Sequence, residues 1–375
     1  MDFGITDEQA ELSALARRIL EDRVTPASLQ GLERDGGERF DPDLWAELAR
    51  ADVLGVALPE DVGGSGYGFF EQCLVLEEVG RVLAPVPLLA SIVMGAMPIA
   101  HHGTPDQRER WVRPAAGGER ILTAALAEPL NRDRHRPRTT ATRDGSRWRI
   151  DGVKTGVPAA TLADLVLVPA ATGDEVRVFL LDPGADGVAV EAQQTTSRDT
   201  FGRLELSGVV LGDDAVLGGG SRPGGEILAW MLERATVGLC AQQLGVTERA
   251  LADTARYTRD RVQFDRPIAT FQAVGHRCAD AYIDVEGIRL TTWQAAWRLA
   301  EGLPASLEVE TAKFWAAEGG HRVGHAVVHL HGGMGVANEH TIHRYFLHAK
   351  QHELMLGGAT EQALRIGTEL AATPA

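Results

Sequence analysis

Arg261, Phe264, Pro267 and Gln272 fall within the stretch RVQFDRPIATFQ, at offsets that a simple amphipathic helix does not need. Arg261 offers a planar fork of N–H donors matched to phosphate oxygens. Phe264 offers an apolar face, and Gln272 supplies both a donor and an acceptor. Pro267 is expected to stop a preceding helix and set the turn into the next one. A lone Arg-x-x-Phe would be no more than a helix end, a polar turn and a helix start, so the weight rests on what accompanies it.

Three other segments accompany it in order. Residues 58–68 read LPEDVGGSGYG and lead into EQCLVLEEVGRVLA, residues 329–336 read HLHGGMGV, and residues 356–367 read LGGATEQALRIG. With residues 261–272, these resemble the acyl-CoA dehydrogenase family over nearly the whole chain. The resemblance implies FAD as cofactor and an acyl-CoA as substrate. It implies that Arg261, Gln263, Phe264, Phe271 and Gln272 reach across a subunit interface to the pyrophosphate and adenosine end of a neighbour's FAD. The Gly332 and Gly333 pair would bring backbone N–H groups to the same pyrophosphate, since glycine permits that approach. His329 stands where relatives place a flavin-contacting glutamine.

The family's reaction removes the α proton of an acyl thioester with a glutamate while the β hydrogen leaves as hydride to flavin N5. Such a base needs a dry pocket that raises its pKa. Many members carry it just before the glycine and threonine of the last loop, where this chain has Gly357. A minority place it on the first long C-terminal helix before an arginine, which Glu233 and Arg234 match. A Glu-Arg neighbour pair is equally an ordinary structural feature of helices.

The family loop that holds the isoalloxazine ring reads approximately threonine, glutamate, proline, glycine, then small residues ending in serine and aspartate. Here residues 126–145 read LAEPLNRDRHRPRTTATRDG: Glu128 and Pro129 remain, while Arg132, Arg134, Arg136 and Arg138 replace the small residues. Gly156, Val157 and Pro158 stand where relatives carry a flat residue near an asparagine-glycine pair. The chain's own flavin-ring site therefore reads as degraded. The arginine run reads as a solvated loop, with coenzyme A phosphates as the other option.

An intact clasp beside a broken ring site resembles the non-flavin-binding partner subunit of the heteromeric acyl-CoA dehydrogenases that actinobacteria use on steroid side chains. The likeness is strongest in QFDRPI, FQAVGHR, AYIDVEG, QAAWRLAEG, FWAAEGGHRVGHAVVHLHGG and LGGAT. It implies a two-plus-two heterotetramer with one flavin site per pair, the working glutamate on the other chain, steroid (cholesterol) side-chain β-oxidation, and electron-transfer flavoprotein as acceptor. The alternative is a self-sufficient homotetramer with Glu233 as base. A metal-binding or structural protein is the alternative from another class, prompted by His321, His325 and His329 at i, i+4 and i+8. No Glu-x-x-His pair or cysteine completes that set, and no metal is expected.

The elements that must position these residues follow from pattern. A chain of 375 residues has room for two to three domains. In residues 1–119, ELSALARRILEDRV, DPDLWAELARADVLG and FEQCLVLEEVGRVLA have helical spacing, with helix starts at Thr6–Asp7 and Asp41–Pro42. Residues 120–224 carry short β-rich runs between Gly, Asp and Pro turns, a barrel or sandwich pattern. Residues 225–375 return to long apolar stripes, a four-helix bundle packed in part against other subunits. The fold class is α+β in helix, sheet, helix order, the acyl-CoA dehydrogenase architecture. A net charge of −15 argues against nucleic acid or an anionic membrane as partner. No apolar run approaches the roughly 20 residues of a membrane span, and the N-terminus is unlike a secretory leader, so the expected location is cytoplasmic. Cys73, Cys240 and Cys278 are too scattered for a disulfide framework.

Overall fold

The computed structural model describes residues 4–34 and 37–372. The few terminal residues included in the helical expectations for the two ends lie outside these. Helices α1 (Asp7–Arg23), α2 (Pro26–Arg34), α3 (Pro42–Arg50) and α4 (Phe69–Val82) come first. Thr6 and Gln9 form a capping box at the start of α1, and Asp41 accepts the Leu44 N–H with Pro42 in the first turn of α3. Both starts are those read from the sequence, and each satisfies amide donors that a helix leaves unpaired. A π-helical stretch, Leu89–Ala96, runs into α5 (Met97–His102), then α6 (Pro105–Gln107), a second π-helical turn and α7 (Arg113–Ala116).

Seven strands follow: β1 (Leu122–Ala124), β2 (Thr140–Asp144), β3 (Arg147–Pro158), β4 (Leu165–Thr172), β5 (Glu175–Leu181), β6 (Val188–Gln193) and β7 (Phe201–Gly212). The chain then forms α8 (Gly224–Asp260), a hairpin of β8 (Val262–Gln263) and β9 (Arg266–Pro267), α9 (Gln272–Ala300), α10 (Ser306–His331), α11 (Ile342–Leu354) and α12 (Ala359–Ala372). This is the α+β, helix, sheet, helix order that the sequence resemblance implied.

Two details differ from the sequence reading. Strand β2 lies inside the segment taken as one loop, and pairs antiparallel with β3 from Thr140↔Asp151 to Asp144↔Arg147. Its single buried residue, Ala141, gives almost no alternating signal. Pro267 does not stop α8, which ends at Asp260; it closes the second strand of the hairpin.

Contacts divide the chain into two units. One comprises residues 32–68 and 85–235 and contains the mixed sheet, in the order β1-β4-β2-β3-β7-β6 with β5 on β4. The sheet curls around Ile150, Val166, Val168, Phe179, Leu181, Leu204 and Val209, all fully buried or nearly so. Each large apolar side chain removed from water contributes roughly 1.5–3 kcal/mol. The other unit comprises residues 1–31, 69–84 and 236–375 and is helical, with α10 packed on α9, α11 and α12. Among its buried polar groups, Gln243 of α8 donates to the carbonyls of Ala316 and Ala349 and accepts from His352. Lys313 of α10 donates to the carbonyls of His352 and Glu353 at the end of α11, where helix carbonyls lack internal partners. No described helix is long and apolar enough to cross a membrane.

Candidate functional site

Helix α8 delivers Arg261 at its C-terminal end, with the Arg261 N–H donating to the Tyr257 carbonyl at 2.8 Å. The chain reverses at once through Phe264 (φ 53°) and Asp265 (φ 62°), between the paired strands β8 and β9. Two successive positive φ values define the tight hairpin turn that ordinarily selects Asn and Gly. A phenylalanine accepts that backbone here, and its ring is 86% exposed. The ring leans edge-on against Phe271 at 6.1 Å, and the Arg266 guanidinium covers Phe271 at 4.1 Å. The Arg261 side chain makes no ion pair or hydrogen bond among the described residues. Gln272 opens α9, whose first turn has neither a side-chain cap nor an acidic residue. Gln263 is exposed and turns its amide back to the Val262 carbonyl.

The glycine segment lies at the end of α10. Gly332 has φ 60° and ψ −139°, a conformation essentially restricted to glycine. A Cβ added at Gly332 or Gly333 would meet nothing within 4 Å, so this backbone faces open space. His329, one turn back, is exposed. An unpaired guanidinium, an uncapped helix start and an open glycine backbone supply positive charge and N–H donors, chemistry that suits a diphosphate. Arg261, Gln263, Phe264, Phe271 and Gln272 come together on the hairpin and the start of α9. His329, Gly332 and Gly333 gather at the end of α10.

The arginine-bearing segment of the sheet unit is organised from within. Glu128 Oε1 accepts from Lys154 Nζ at 2.7 Å, with both side chains almost wholly shielded from water. The same carboxylate accepts the backbone N–H groups of Arg138 and Thr139 and the amide of Asn131. Burial opposes the Glu128 charge most strongly, but the Lys154 ammonium and these hydrogen bonds prevail and hold its pKa at about 2. Burial lowers Lys154 to about 8, against the pull of Glu128. Lys154 also donates to the Pro169 carbonyl. Between these anchors Leu130 is 92% exposed, and Arg136 pairs loosely with Asp133 at 3.8 Å. Glu128 thus spends its acceptors on the chain itself.

Glu233 is partly buried on α8, 3.8 Å from Arg234, whose guanidinium lies 3.9 Å over the Trp230 ring. Gly357 follows α11 at φ 103°, where an added Cβ would come within 2.7 Å of Gln362 Nε2 and 2.8 Å of Glu361 Oε1. No glutamate fits this backbone without rearrangement. Of the histidines, His321 meets Glu353 at 3.1 Å, and His348 and His331 contact carbonyls one turn back. Among the described residues no three His, Cys, Asp or Glu converge as a metal-ligand set. Sequence reasoning missed Lys154 as the partner of Glu128; the scarcity of lysine, at three positions, was the available signal.

The fold and these segments define a class, and comparison with known proteins states it. The family profile described as acyl-CoA dehydrogenase, N-terminal domain, matches residues 6–119, and that described as acyl-CoA dehydrogenase, C-terminal domain, matches residues 223–370. The chain belongs to the acyl-CoA dehydrogenase family, FAD-dependent oxidoreductases that act on acyl-CoA. It is 45% identical, over the full length of both chains, to acyl-CoA dehydrogenase FadE27 of Mycobacterium tuberculosis. A chain of the ChsE4-ChsE5 complex from the same organism superposes with a TM-score of 0.95 at 46% identity, covering 100% of both chains. A chain of the Tcur3481-Tcur3483 steroid ACAD G363A variant matches with a TM-score of 0.92 at 43% identity, covering 99% of this chain and 100% of that one.

Proposed function

We propose that this chain is one subunit of a heteromeric acyl-CoA dehydrogenase, completing an FAD site whose ring pocket and catalytic glutamate belong to a second, related chain. One contrast carries the reading. The Arg261 side chain has no partner among the described residues and the Gly332–Gly333 backbone faces open space, whereas Glu128 is committed to Lys154 and its own loop. Similarity to chains of two complexes, ChsE4-ChsE5 and the Tcur3481-Tcur3483 steroid ACAD, supports both the pairing and a steroid side-chain acyl-CoA as substrate. FAD, when bound, would supply the acceptor for the β hydrogen as hydride, with electron-transfer flavoprotein as the onward electron acceptor. In this reading Arg261 and Gln272 bind the pyrophosphate and adenosine end, helped by Gln263, Phe264, Phe271 and His329, while the N–H groups of Gly332 and Gly333 approach the phosphate oxygens. The assembly is a two-plus-two heterotetramer in the cytoplasm, and each chain of this type divides into domains 1–119, 120–224 and 225–375.

Glu233, the one carboxylate at a family base position, keeps a homotetrameric reading in view. Native mass measurement with flavin quantification separates the two. The proposal expects two chain types and one FAD per pair, whereas a homotetramer with one FAD per chain refutes it.

A further inference from the structure

The turn that carries Gly332 and Gly333 leaves α10 at His331 and returns past His340, and both imidazoles lie against one tyrosine. Tyr257 stacks on His331 with ring centroids 4.2 Å apart and planes 20° from parallel. It meets His340 edge-on at 6.3 Å, and the two imidazoles are 4.9 Å apart. His331 is 4% exposed, and its Nδ1 lies 2.8 Å from the Val327 carbonyl, which requires the proton on Nδ1 and fixes the ring's orientation. Tyr257 also accepts the Arg261 N–H through its carbonyl. One short chain of contacts therefore joins the last turn of α8, which ends at the hairpin, to both ends of the glycine turn.

Filling space does not explain the His331 ring, because an aliphatic side chain would occupy its buried position without a polar group to satisfy, and Tyr257 and His340 are only partly buried. Close packing does not fix them either: a cavity of about 650 Å³ is bordered by Tyr257, His331 and His340 together with Arg249, Asp253 and Arg256. With that space beside them, the rings are held by their contacts with one another together with two local hydrogen bonds, His331 to the Val327 carbonyl and the Ile342 N–H to His340 Nδ1.

We infer that the Tyr257–His331–His340 stack is a positioning device for the cofactor clasp, setting the Gly332–Gly333 backbone relative to Arg261 so that both meet one pyrophosphate. The inference rests on the clasp reading above. The three residues act through the turn and the hairpin, without touching the cofactor.

The test uses the FAD-loaded assembly that contains this chain, with FAD release followed by flavin fluorescence and amide exchange of Gly332–Val336 measured on the FAD-free chain. His331→Ala and Tyr257→Leu should release FAD about tenfold faster, the scale of losing one or two ring contacts. Both should lose exchange protection in the turn while their unfolding midpoints stay near the parent's. His331→Phe, which keeps a stacked ring, should restore both readouts. If the alanine variant does not fold, His331→Leu replaces it, keeping volume without the ring. Arg261→Ala, run in parallel, reports on the clasp itself. Faster release with Arg261→Ala but parental release with the ring variants overturns the stack's role and leaves the clasp standing. Unchanged release with Arg261→Ala removes both. Equal losses in His331→Phe and His331→Ala overturn the stack as the device.

Discussion

Lys154 Nζ lies 2.7 Å from Glu128 Oε1, and this pair anchors the start of the arginine-bearing segment to strand β3. Taking two charges out of water is costly, so the pair is sustained by the further hydrogen bonds to Arg138, Thr139 and Pro169. Removing one partner strands the other. Lys154→Met should destabilise the fold by about 3–5 kcal/mol, whereas Glu128→Gln with Lys154→Met should recover much of that loss. Chemical denaturation of the single and double variants measures both.

The same pair predicts an acid limb. The Glu128 pKa falls from 4.5 to about 2 in the folded protein, so its contribution is fully present above 4.5 and lost as pH falls towards 2. Glu128→Gln should flatten that part of the stability curve. Parallel curves for the variant and the parent between pH 4.5 and 2 would show that Glu128 is not held by its partners.

Gly357→Glu should not create a base. The backbone there is at φ 103° and a Cβ meets Gln362 and Glu361, so the variant should lose stability, by about 1–3 kcal/mol for backbone strain alone. Dehydrogenation by the isolated variant supplied with FAD would contradict this.

Phe264 holds a left-handed backbone with its ring in water, a poor arrangement for the chain by itself. Phe264→Asn should stabilise the isolated chain by up to about 1 kcal/mol, because Asn suits that turn. It should weaken assembly and FAD retention. Thermal unfolding and sedimentation of the same preparation measure the two effects, and unchanged assembly would dismiss Phe264 from the interface.

How much of this was legible in the sequence follows from the physics of each signal. The start of α1 at Thr6, the start of α3 at Asp41 and the long stripes of α8 and α9 are local and periodic, so they could be read directly. Strand β2 could not, because a short strand with one buried residue has no alternation to detect. The hairpin at Phe264 was hidden since its turn lacks the Asn or Gly that usually announces it. Arg261, Gln272 and the glycine pair were singled out through motif likeness. Tyr257 and His331 lie 74 positions apart by number, and only the folded chain brings their rings together.

Glu233→Gln should leave turnover of the assembled enzyme within a few-fold of the parent, since the working carboxylate is assigned to the other chain. Loss of a general base costs roughly 100- to 10,000-fold. A loss of that size, with FAD content and assembly preserved, would move the active site into this chain.

The central claim is that this chain clasps an FAD whose ring it does not hold, and an absorbance spectrum of the chain purified by itself tests it most directly. The account predicts little or no flavin absorbance from the chain alone, and full yellow colour only when the second chain is present. A spectrum showing near one FAD per subunit in the chain alone would contradict it.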